Sequence, residues 1–92
     1  MSKVEKLFER MKRNPQGGFR IEDVRAVCGG NDISCEPPKR GSHYTVSHPS
    51  QANILTVPYN RPIKPVYIRA LVAYVEAVRA DTTRWQVITI AS

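Results

Sequence analysis

The sequence predicts an α+β domain with its helices on one face of a three-stranded antiparallel sheet. Three observations carry that prediction. Apolar residues recur at helical spacing up to Cys28, the period shortens to two between Ile33 and Pro58, and a helical stripe returns after Pro65. The expected order is α-α-β-β-β-α. With 92 residues the chain has enough material for one core and no second one.

The first helix begins after Ser2, which with Glu5 three residues on forms the pattern of a capping box. Val4, Leu7, Phe8 and Met11 then share one face, and Pro15 stops the helix. Gly17-Gly18 supply a reversal. The second helix places Ile21, Val24, Val27 and Cys28 together. It carries Glu22 and Asp23 in the turn where the helix dipole favours acids, and Gly29-Gly30 are expected to end it.

Ile33 and Cys35 alternate with Asp32, Ser34 and Glu36 until Pro37-Pro38 removes two backbone donors, which defines a first strand. A second strand covers 42–48, and a third runs from Ile54 to Pro58 after the connection 49–53. Proline is well placed at the first position of a helix, so the last helix starts near Pro65. Its stripe is Ile68, Leu71, Val72, Val75 and Val78, with Tyr67 and Tyr74 at the rim and Arg69, Glu76 and Arg79 left to solvent. Residues 81–92 form an extension in which 84–90 have strand composition. Two uses are open for that segment: an extra edge strand, or a contact through Trp85, Val87, Ile88 and Ile90 with a partner.

Composition narrows the function classes. Fourteen Lys and Arg against eight Asp and Glu give a net charge of +6, a footprint for a polyanion or an acidic protein. No apolar run is long enough to span a bilayer, and Met1 leads into a charged helix rather than an apolar leader, so no membrane association and a cytoplasmic location are expected. Cys28 and Cys35 fit neither a disulfide framework nor a C-x-x-C pair and are expected to stay reduced in the core. Together with His43 and His48 they match no common zinc spacing, so neither a metal nor a cofactor is expected.

His43 is the focal residue. It follows the cationic segment Pro37-Pro38-Lys39-Arg40, and an imidazole exchanges protons near neutral pH beside charges that suit a phosphate. Tyr44 and Val46 form the apolar set of the second strand, so His43, Thr45 and Ser47 should point away from the helices. His48, an odd number of residues on, should point the other way.

Gly41-Ser42-His43 opening a middle strand after two helices, and Leu55-Thr56-Val57-Pro58 leading through Arg61-Pro62-Ile63-Lys64 into the last helix, resemble the HicA toxins. These are small RNA-cleaving partners of HicB antitoxins, and the resemblance covers residues 1–80. It implies a fold like that of a double-stranded RNA-binding domain, messenger RNA as substrate, His43 as the catalytic residue and a HicB-like antitoxin in a hetero-oligomeric complex. One departure stands out. Many members open the final helix with Lys-Gly-Thr-Leu, whereas here Lys64 precedes Pro65, which has no N–H to offer a phosphate.

On this reading the chain is an endoribonuclease, an mRNA interferase in which a ribose 2'-OH attacks the adjacent phosphate with help from His43. Lys39, Arg40, Gly41, Ser42, Arg61 and Lys64 are the expected RNA-binding residues. Two alternatives remain at this level: a non-catalytic module of the same fold that grips duplex RNA, and a protein-interaction domain whose positive face meets an acidic partner.

Overall fold

A computed structural model of the chain describes residues 2–91, with side-chain surroundings defined as far as Asp81. It contains α1 (Lys3–Arg13), α2 (Ile21–Gly30), β1 (Ser34–Glu36), β2 (His43–Ser47), β3 (Leu55–Pro58) and α3 (Pro65–Ala91). The sheet is antiparallel with order β1-β2-β3. Its registers pair Cys35 with Val46 and Glu36 with Thr45 on one side of β2, and His43 with Pro58 and Tyr44 with Val57 on the other.

The core lies between this sheet and the helices. Val46 and Val57 from the sheet meet Phe8 and Met11 of α1, Val24, Val27 and Cys28 of α2, and Ile68, Leu71, Val75 and Val78 of α3. Burial of such side chains contributes roughly 1.5–3 kcal/mol each. The helical stripes read from the sequence are thus the ones that pack, with Val72 partly buried at the margin.

Several local expectations change. Ser2 caps α1 by accepting the Glu5 N–H at 3.1 Å, but the capping box is only half formed, because the Glu5 carboxylate receives the guanidinium of Arg79. Arg79 is therefore not a solvent residue. It also donates to Asn31 Oδ1 at 2.9 Å and sits 4.5 Å from the centre of the Phe8 ring, tying α3 to both other helices. Tyr74 is buried rather than at the rim, because its hydroxyl finds the Asn53 carbonyl at 3.3 Å.

Gly29-Gly30 do not terminate α2 from outside it. Both lie within the helix, and the left-handed residue that follows is Asp32, at φ 56°. Gly30 serves packing instead: a Cβ there would lie 2.6 Å from Cγ1 of Val4, so its absence lets α1 approach α2.

The strand expected over 84–90 does not form, since α3 continues through it to Ala91. No glycine or proline interrupts the chain after Pro65. Extending an existing helix requires no new nucleus, and each β-branched residue weakens it by only a few tenths of a kcal/mol. The partner contact expected of Trp85, Val87, Ile88 and Ile90 lies outside the described side chains.

Candidate functional site

Antiparallel order gathers one end of the sheet. There β1 leaves, β2 enters and β3 leaves, so the loops 37–42 and 59–64 emerge side by side. The Ser42 carbonyl accepts the Tyr59 N–H at 2.6 Å, joining the two loops, and Ile63 N–H donates to the Phe19 carbonyl at 2.9 Å, tying the second of them to the segment before α2. Gly41 has φ 80°, a conformation most side chains avoid, and it turns the chain into β2.

On the face away from the helices a cleft of about 390 Å³ opens at this end. Glu36, Lys39, Arg40, His43, Thr45 and Ser47 line it, with Pro37 and Pro38 forming a stiff wall. The alternation expected of β2 holds: Val46 is buried and Tyr44 packs on the core, whereas His43 is exposed. His48 lies just beyond the strand end, where its Nδ1 accepts the Ser50 N–H at 3.0 Å and pairs with the Ser50 hydroxyl at 2.8 Å. Its role is to order the β2–β3 loop.

The residues expected to bind RNA divide into two groups. Lys39 and Arg40 share the cleft with His43, and Gly41 and Ser42 form the exposed turn between them. Arg61 and Lys64 do not line the cleft. The Arg61 Nε and Nη2 donate to the Tyr59 hydroxyl at 3.2 and 2.5 Å, and that bond pushes the guanidinium pKa still higher. Tyr59 in turn stacks on Tyr44 with ring centres 6.2 Å apart, so this unit belongs to the helix side of the sheet end. The Lys64 carbonyl accepts from Tyr67 N–H at 3.0 Å and starts α3.

Sequence reasoning missed Glu36 and Tyr59. Glu36 shared the polar parity of β1, but only the pairing with Thr45 places it on the face of His43. Tyr59 carried no signal beyond its aromatic ring.

Behind the sheet, the free thiols of Cys28 and Cys35 interact directly. The hydrogen bond from Cys28 lowers the Cys35 pKa, with the charge of Arg25 adding to it, while the same bond and burial raise that of Cys28. Among the described residues, no three His, Cys, Asp or Glu side chains are grouped to hold a metal ion, and no helix is long and apolar enough to cross a membrane.

No protein-family model matches the chain, and neither a curated protein nor a solved structure is similar enough to count as a relative.

Proposed function

We propose that this chain is a HicA-like toxin: an endoribonuclease that cuts messenger RNA through His43 by transesterification. The observation that carries the reading is the cleft in which an exposed imidazole faces two cations and no helix covers it. Its cations suit a phosphodiester. Lys39 and Arg40 offset charge that builds on the phosphorus, and His43 moves a proton, together giving a 2',3'-cyclic phosphate and a free 5'-OH. No metal is required, since side chains within the cleft can carry out the proton transfers.

The order α-α-β-β-β-α supports a fold like that of a double-stranded RNA-binding domain with an added first helix. A HicB-like antitoxin, acidic where it meets Lys39 and Arg40, would silence the enzyme by covering the cleft, in the cytoplasm where messages are found.

The test is induction of the wild-type chain beside His43→Ala, scoring growth and RNA integrity. His43→Ala should lose about 10²- to 10⁴-fold in cleavage and relieve growth inhibition, yet change stability by no more than about 0.5 kcal/mol, because the side chain is exposed. Chelator should not affect the wild-type rate, and a 2'-deoxy nucleotide at the cut site should abolish cleavage. Undiminished cleavage by His43→Ala would remove His43 as the catalyst.

A further inference from the structure

We propose that Glu36 is the second proton-transfer group of this site, the base that activates the attacking 2'-OH, and that His43 is the acid that protonates the leaving oxygen. The proposal rests on the ribonuclease reading above and assigns the chemistry that reading leaves to one residue.

The geometry follows from the register. Glu36 pairs with Thr45, and His43 lies two residues before Thr45 on the same face of β2. Glu36 and His43 are therefore diagonal neighbours across two strands, a relation with backbones roughly 7–8 Å apart. Both line the same cleft. That spacing leaves room for a phosphate between a carboxylate and an imidazole, as in-line displacement requires of an acid and a base on opposite sides of the phosphorus.

Elimination within the cleft leads to the same residue. Arg40 keeps its proton throughout, Lys39 is a donor, and the hydroxyls of Thr45 and Ser47 are weak bases. Among the described residues, Glu36 is the one carboxylate that lines the cleft. Neither its side chain nor that of His43 has an ion pair or hydrogen bond among the described residues, so both are available to substrate. The charged groups facing them are Lys39 and Arg40 from the loop; β3 presents Thr56 and Pro58 toward this part of β2, and neither titrates.

In the forward step the Glu36 carboxylate takes the 2'-OH proton as O2' bonds to phosphorus. The His43 imidazolium gives its proton to O5' as the P–O5' bond breaks. One proton enters the protein and one leaves it, so charge is conserved and exchange with water restores both groups. No oxidant, reductant or further reactant takes part.

The experiment measures kcat and KM against pH on a short RNA with one cleavage site, for wild type, Glu36→Gln, Glu36→Asp and His43→Ala. It is repeated on the same RNA with sulfur replacing the bridging 5' oxygen, a leaving group that needs no acid. Wild type should show a bell-shaped profile, its acidic limb set by the carboxylate and its basic limb by the imidazole. Glu36→Gln should lose the acidic limb and about 10²- to 10⁴-fold in kcat with KM changed only a few fold, and Glu36→Asp should recover part of the rate. The sulfur leaving group should rescue His43→Ala and leave Glu36→Gln slow.

A wild-type rate and unchanged profile in Glu36→Gln, with His43→Ala inactive, would overturn the proposal and leave the ribonuclease reading standing. Rescue of Glu36→Gln rather than His43→Ala would overturn it by reversing the two roles. Absence of any wild-type cleavage would bring down both.

Discussion

His43 and His48 are the same side chain with different fates, and the difference is where the strand puts them. His43 projects onto the open face at the mouth of a cleft, while His48, past the strand end, is engaged with Ser50. The two cysteines show a similar asymmetry: Cys28 is buried and donates, and Cys35 is half-buried and accepts. Because the hydrogen bond from Cys28, with the charge of Arg25, lowers the Cys35 pKa from its ordinary value, its thiolate accumulates at lower pH than that of a free cysteine. Iodoacetamide should therefore label Cys35 first, with a rate that rises at lower pH than for glutathione. Cys28 should stay unlabelled until denaturant is added, and equal labelling of both thiols in the native protein would contradict the assignment.

Adjacent glycines in α2 make opposite contributions to their element. A Cβ on Gly29 meets nothing within 4 Å, whereas one on Gly30 meets Val4 at 2.6 Å. Glycine costs a helix interior up to about 1 kcal/mol relative to alanine, so Gly29→Ala should stabilise the protein by as much as that. Gly30→Ala should destabilise it by about 1–3 kcal/mol, since Val4 is β-branched and cannot rotate away within α1. Urea melts of both variants, together with Val4→Ala/Gly30→Ala, check this. The double variant should regain part of that stability, and simple additivity would show that α1 and α2 do not meet there.

At the scale of the whole molecule, the net charge of +6 matters through its placement. Lys39 and Arg40 lie in the cleft, while Arg61 is held by Tyr59 and Arg79 lies among Glu5, Asn31 and Phe8. Replacing Lys39 and Arg40 by alanine should weaken binding of a single-stranded, 2'-deoxy-blocked RNA. It should also flatten the dependence of log K on log salt by roughly 0.7 for each phosphate that the protein no longer neutralises. Arg79→Ala, by contrast, should leave the salt slope unchanged and lower stability. Anisotropy titrations at several salt concentrations separate these outcomes, and an unchanged slope after replacement of Lys39 and Arg40 would take the phosphate out of this cleft.

The sequence by itself determined the element order, the apolar stripes and the open face of β2. Each of these depends on periodicity within about ten residues, and Pro15, Pro37 and Pro65 mark boundaries wherever they occur. The polar parity that exposes His43 was legible for the same reason. What crosses between elements was decided only by the tertiary structure. Glu5 turned from its own cap to Arg79, Tyr74 was drawn inward by Asn53, and Arg61 was taken by Tyr59. Glu36 joined His43 because a register, rather than a spacing, set Glu36 against Thr45. Local strand composition also misread 84–90, where a helix already under way costs less to extend than a new strand costs to pair. Short-range order is set by the backbone and its immediate neighbours, whereas polar side chains choose among partners that only folding brings within reach.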